Sequence, residues 1–217
     1  MKRLVTFGCS YTYGHGLQDC CTPDGHAGPV HSNLAWPSII AERLDIELSN
    51  QSKPGCSNLE IVNRIKNFKF QKDDICIVHW TFIERWCKIL DLVTEIGYEN
   101  IGPWDTGTNK TAKAFYGRIY NDATGIFLSK MYADFTGYYL KDLGIKYISF
   151  APIIYHKIRN TLELKYTTPQ DYENLCHFHD KKLYPSADDA LDNAHPGPKT
   201  HTVFAEYILE EYPWLKD

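Results

Sequence analysis

Two hydrophobic rhythms alternate along this chain. Short continuous apolar runs, Leu4-Val5-Thr6-Phe7, Ile75-Cys76-Ile77-Val78 and Ile145 to Phe150, have the length and β-branched content of buried parallel strands. Ile46 to Ser49 is a shorter strand candidate. Between these runs, apolar positions recur every three or four residues, the spacing of one helical face. Pro37 stands where a helix start tolerates proline, and Ile39, Ile40 and Leu44 follow on one side. Ser57-Asn58-Leu59-Glu60 has the form of a capping box, with Leu59, Val62 and Ile65 continuing behind it. From about Asp122, Leu128, Met131, Phe135 and Tyr138 predict a helix that should stop at Gly144. Val203, Phe204, Tyr207 and Ile208 predict the inner face of a last helix, ended by Pro213.

Strands alternating with helices argue for a parallel sheet covered on both faces, a three-layer α/β/α sandwich. Two stretches break the rhythm. Residues 18–34 carry Pro, Gly, His and Asp without periodicity, and residues 97–121 are rich in Gly, Asn and Thr; both are expected to be loop insertions in a single domain spanning 1–217.

Composition narrows the function. The 217 residues suffice for a sizeable core, and 43% hydrophobic with 23% charged residues is an ordinary globular balance. A net charge of −4 supplies no basic footprint, so nucleic acid is not expected as a partner. No apolar segment is long enough for a signal-peptide core or a membrane span, and the seven cysteines follow no disulfide spacing, so a reducing, cytoplasmic setting is expected and no membrane partner.

Ligands of parallel α/β sheets gather at the carboxyl ends of the strands. Gly8-Cys9-Ser10 leaves the first strand there. A serine on such a sharp turn exposes its hydroxyl and offers its own N–H, which suits a nucleophile with one oxyanion donor; the same serine would serve equally as a plain helix cap. Near the other end, Asp192-Asn193-Ala194-His195-Pro196-Gly197 spaces a carboxylate three residues before a histidine. On one helical turn the two would meet, and the carboxylate would fix the imidazole tautomer; the bland alternative is a turn with Asp192 as a cap and His195 at the surface. Cys9 offers a thiol nucleophile as a competing reading. His177-Phe178-His179-Asp180 holds three possible metal ligands, but without His-Glu-x-x-His or Cys-x-x-Cys spacing it reads as solvated surface and no metal is assigned. His201 reads as a packing or capping residue.

Taken together, the two terminal segments resemble the first and last blocks of the GDSL-like, or SGNH, hydrolases: Phe7-Gly8-Cys9-Ser10-Tyr11-Thr12-Tyr13-Gly14 and Asp192-x-x-His195-Pro196-Gly197. Asn50 through Gly55 to Asn58 looks like the second block. The resemblance implies a flavodoxin-like sheet of about five strands, the fifth between 175 and 190, and catalysis by Ser10, His195 and Asp192 with no metal or organic cofactor. It places the oxyanion donors at Ser10 and Gly55. Two departures stand out. Cys9 replaces the Asp of Gly-Asp-Ser, and the Gly-x-Asn-Asp block is missing, replaced by His79-Trp80-Thr81-Phe82-Ile83-Glu84-Arg85. Thr81 falls near the missing oxyanion asparagine, and Asn58, Trp80 and Arg85 are candidate substrate-binding residues. The implied activity is hydrolysis of a small acyl ester, such as O-acetyl on a carbohydrate. A catalytically silent glycan-binding module, or a thioesterase or lysophospholipase of the same fold, are the alternatives.

Overall fold

The computed structural model describes residues 2–90, 97–151, 177–178 and 187–216. In chain order the elements are β1 (Arg3–Phe7), α1 (Ser10–Tyr13), α2 (Trp36–Leu44), β2 (Glu47–Asn50), α3 (Asn58–Asn67), β3 (Ile75–His79), β4 (Trp86–Ile89), β5 (Tyr98–Ile101), α4 (Lys110–Arg118), α5 (Asp122–Asp142), β6 (Lys146–Ala151), β7 (His177–Phe178) and α6 (Pro198–Glu211). Short 3₁₀ turns cover Pro103–Gly107 and Pro213–Lys216.

β1, β2, β3, β6 and β7 form a five-stranded sheet in the order β2-β1-β3-β6-β7, and every pairing is parallel. This is the flavodoxin-like order, and β7 supplies the fifth strand inside the interval expected for it. β3 lies in the middle with all five residues buried, which is why its sequence is apolar throughout instead of alternating. Side chains along β1 divide between two cores, as the period of two requires. Leu4 packs with Trp36, Ile40, Ile77, Phe150, Phe204 and Ile208 beneath α2 and α6. Val5 and Phe7 pack with Ile61, Ile65, Val78 and Leu140 beneath α3 and α5. Each such fully buried side chain contributes about 1.5–3 kcal/mol relative to exposure, so the two layers hold the sheet from both sides.

Local signals behave as their chemistry demands. The Ser57 hydroxyl accepts from the Glu60 N–H and starts α3. Proline occupies the first turn of α2, and Gly144 takes φ +71 just after α5. Residues 18–34 form no helix or ladder strand, only the isolated bridge Cys21–Ala27.

Three expectations need correction. Residues 97–121 are not a loop: β5 pairs antiparallel with β4, and the 3₁₀ turn and α4 follow. The Asn109 side chain caps α4 by accepting from the N–H groups of Thr111 and Ala112, and Trp86 stacks on Phe115 at 4.5 Å. In α5 the helix is present, but Met131, Phe135 and Tyr138 are exposed, and the buried face is Gly125, Ser129, Ala133, Thr136, Gly137 and Leu140. Small residues there allow close approach: a Cβ on Gly125 would lie 2.9 Å from the Ile83 carbonyl. In α6, Val203 turns outward, while Thr200 and His201 take buried places beside Phe204 and Ile208.

Candidate active site

The chain order reverses between β1 and β3, and the loops at their carboxyl ends converge there. Gly8 makes the first of these turns possible. A Cβ at this position would fall 2.1 Å from Thr12 Oγ1 and 3.1 Å from the His79 carbonyl. Cys9 is the N-cap of the single-turn α1, with Thr12 and Tyr13 N–H groups donating to its carbonyl. Ser10 then opens the turn, 7% exposed. Its hydroxyl donates to Cys9 Sγ at 3.9 Å, and its backbone N–H has no acceptor among the described residues.

The second loop docks on the same turn. Lys53 N–H and the Cys56 thiol both donate to the Gly8 carbonyl, at 3.1 and 3.2 Å. Between them Pro54-Gly55 makes a tight turn in which Gly55 adopts φ +78 and Cys56 N–H reaches back to the Lys53 carbonyl. Gly55 is exposed, and its N–H likewise has no acceptor among the described residues.

Asp192 and His195 meet, though not on a helical turn. Asn193 takes φ +52, and Asp192 Oδ1 accepts from the N–H groups of Ala194 (3.0 Å) and His195 (3.1 Å), an Asx-type turn. Asp192 Oδ2 is then 2.6 Å from His195 Nδ1. A carboxylate can only accept, so Nδ1 carries the proton and Nε2 holds the lone pair. Partial burial alone would raise the Asp192 carboxyl, but the Ala194 N–H and the His195 ring outweigh it and hold it below the usual carboxylate range. Desolvation pushes His195 below its ordinary value; Asp192 opposes this, and the charges of His15 and Arg85 add to it.

Contacts that no local motif encodes seat this loop. Leu191 N–H donates to the Gly16 carbonyl at 2.9 Å. Gly16 has φ +89, and a Cβ there would lie 2.7 Å from Asp192 Oδ1. Asp188 closes the other side, accepting from the N–H groups of Lys199 (3.0 Å) and Thr200 (2.9 Å) and thereby capping α6 from outside its own helix. The His195 ring lies edge-on to Tyr11 at 5.5 Å and beside His15 at 4.5 Å. Residue 195 is thus brought against the residue after Ser10, although no hydrogen bond joins Ser10 to His195 among the described residues.

The other expected residues divide. Thr81 is buried; its N–H donates to Asn58 Oδ1 (2.8 Å), and its hydroxyl accepts from Arg85 Nη1 (3.1 Å). Asn58 is spent on this support, also donating to the Thr81 carbonyl and to Ser129. Trp80 is 2% exposed and its indole N–H donates to Ser149 Oγ, so as a substrate contact it is corrected to a core residue. Arg85 is half-buried over the rings of Phe82 (5.7 Å) and Trp104 (5.0 Å). It also forms part of the wall of a mostly apolar cavity of about 240 Å³ between α3, β4, α4 and α5, which neither Ser10 nor His195 lines.

Two histidines absent from the expectations lie close by. His15 Nε2 donates to the Gly25 carbonyl, and with Asp192 and His195 it forms the cluster among the described residues whose ligand atoms all lie within 4.8 Å, close enough to share a cation. His79 is wholly buried against Thr12 Oγ1 (3.2 Å), and burial pushes it down to about 4. His201 accepts from Trp36 N–H (3.2 Å), and burial pushes it down to about 3, in keeping with a packing role. Of the His177-Phe178-His179-Asp180 stretch, residues 179 and 180 lie outside the described residues.

No protein-family model matches the sequence, and no curated protein matches it. Solved structures do. The chain is similar to TesA, with a TM-score of 0.56 at 10% identity over 98% of this chain and 99% of that one. It is similar to a G-D-S-L family protein from Desulfitobacterium hafniense DCB-2 (TM-score 0.50, 11% identity, 96% and 98% covered). It is also similar to the acetyl xylan esterase Est2A from Butyrivibrio proteoclasticus (TM-score 0.52, 12% identity), where it covers 98% of this chain but 65% of that one. The fold is therefore the α/β/α fold of the GDSL, or SGNH, hydrolases, and its neighbours include lipolytic proteins and carbohydrate esterases. Among the described residues no helix is long and apolar enough to cross a membrane.

Proposed function

We propose that this chain is a serine esterase that hydrolyses a small acyl ester, such as O-acetyl on a carbohydrate. The observation that carries the reading is the 2.6 Å bond between Asp192 and His195, seated beside Tyr11 at the carboxyl end of β1. His195 Nε2 takes the proton from Ser10 as Oγ attacks the carbonyl carbon. The negative oxygen is held by the N–H groups of Ser10 and Gly55, which meet no acceptor among the described residues, and by the Thr81 hydroxyl, which the Arg85 N–H polarises. His195 then protonates the leaving alkoxide, and water repeats the sequence on the acyl-serine. For attack, the Ser10 side chain must rotate from Cys9 Sγ toward His195; such bonds often tighten only with substrate bound.

The neighbours' names support this chemistry: lipolytic in one branch, carbohydrate ester hydrolysis in the other. The chain spans about two thirds of the carbohydrate esterases' length, so their sugar specificity enters only as part of the proposal. A silent binding module is the second reading, favoured by the resting Ser10–Cys9 contact and by the engaged N–H of Thr81. Turnover of a chromogenic acetate ester by wild type and Ser10→Ala separates the two. A loss of at least 10³-fold in the variant is expected; equal turnover sinks the esterase reading.

A further inference from the structure

The guanidinium of Arg85 is fixed by the protein at one end and open along one edge. Nη1 donates to Thr81 Oγ1 at 3.1 Å and to the Cys56 carbonyl at 3.4 Å, which uses both of its hydrogens. Nε and Nη2 carry three more N–H groups, and no acceptor meets them among the described residues. Among the described residues no carboxylate pairs with Arg85, whereas Arg3 and Arg43 each have an acidic partner. The Nε and Nη2 donors lie side by side in the guanidinium plane, the fork that accepts a carboxylate bidentately. Arg3 uses this same edge on Asp74, with bonds of 2.9 and 2.7 Å.

Its surroundings make this edge selective. The guanidinium lies over the rings of Phe82 and Trp104, contacts that favour the cation and hold the side chain in place. Tyr11 stands edge-on to His195 on one side (5.5 Å) and to Phe82 on the other (6.3 Å), so an aromatic wall runs from the dyad to Arg85. The two groups that anchor Nη1 sit beside the second and third proposed oxyanion donors, Cys56 next to Gly55 and Thr81 itself. The positive charge also reaches the dyad, since it helps to lower His195. Arg85 also lines the cavity of about 240 Å³, together with Trp86, Phe115 and Tyr132.

We propose that Arg85 binds a carboxylate of the substrate through its Nε–Nη2 edge, so that the ester hydrolysed is one borne by an acid, such as an O-acetylated sugar acid. This rests on the esterase reading for turnover, but not for binding. Charge-assisted, bidentate recognition in a partly desolvated site is expected to favour the acid by roughly tens-fold in kcat/KM over a neutral ester of the same shape.

The test compares O-acetyl-glucuronic acid with O-acetyl-glucose in wild type, Arg85→Met and Arg85→Lys, reading acetate release. Wild type should prefer the acid. The preference should collapse in Arg85→Met through a higher KM for the acid, survive partly in Arg85→Lys, and shrink with added salt. An undiminished preference in Arg85→Met overturns the proposal. A fall in kcat shared by both esters is expected from the loss of support to Thr81; that fall with the KM for the acid unchanged overturns the proposal, because Arg85 would then serve the oxyanion alone. Calorimetric binding of glucuronate and glucose to the Ser10→Ala protein tests the same claim without turnover. Tighter binding of glucuronate that disappears with Arg85→Met supports it even if no ester is cleaved, and no difference between the sugars refutes it. Glucose 6-phosphate binding more tightly than glucuronate would overturn the carboxylate assignment.

Discussion

Replacing Gly16 by alanine should uncouple the geometry of the dyad from the stability of the fold. Gly16 holds φ +89, where a side chain carries about 1–3 kcal/mol of strain. For a chain of this size that corresponds to a loss of roughly 2–4 °C in Tm per kcal/mol. The added Cβ would also stand 2.7 Å from Asp192 Oδ1 and 2.8 Å from its other carboxylate atoms. Ordinary contact needs roughly 1 Å more, so Asp192 must retreat, and with it the 2.6 Å bond that orients His195. A displacement of about 1 Å in a positioned catalytic group typically costs on the order of 10² in rate. Gly144→Ala is the control: φ is +71, similarly strained, but a Cβ meets nothing within 4 Å. Steady-state hydrolysis and thermal unfolding of both variants should show similar losses in Tm. kcat should fall about 10²-fold in Gly16→Ala and less than about threefold in Gly144→Ala, with KM changing little in either. Equal kcat in the two variants would refute the claim that Gly16 seats Asp192 for catalysis.

The pH profile follows from the lowered His195. A base with a depressed pKa is deprotonated and competent above that value and loses activity only as pH falls through it, so kcat/KM should rise on the acid side, inflect below the ordinary histidine value of 6.5 and then level off. An inflection well above that value would contradict the desolvated environment. Asp188→Ala removes the carboxylate that caps α6 through the Lys199 and Thr200 N–H groups; about 1–2 kcal/mol of stability should be lost in denaturant unfolding, with kcat reduced because the same loop carries the dyad. An unchanged midpoint would show that the cap is replaced by solvent.

Features legible in the sequence were those carried by neighbours along the chain. The apolar runs of β1, β3 and β6, the Ser57–Glu60 box and the three-residue spacing of Asp192 and His195 are local patterns with local causes. What the sequence hid was set by distant partners. Periodicity identified α5 but not which side it buries, because Met131, Phe135 and Tyr138 are as regular as the small residues that pack on α3. Composition disguised residues 97–121, where glycine and asparagine serve as turn and cap positions for β5 and α4. The contacts of Gly16 with Asp192, of Asp188 with α6 and of Arg85 with Cys56 each join segments that no motif links. Trp80 illustrates the reverse: an aromatic at a strand end invites a substrate role, and here it fills the core.

The central claim is that Ser10, and not the adjacent Cys9, is a nucleophile activated by His195. Reaction with a fluorophosphonate, followed by peptide mass spectrometry on wild type, Ser10→Ala and His195→Ala, tests it directly. One adduct is expected on Ser10, absent in Ser10→Ala and at least about 10²-fold slower to form in His195→Ala. Ester hydrolysis with no adduct on Ser10, or labelling that survives Ser10→Ala on Cys9, would contradict it.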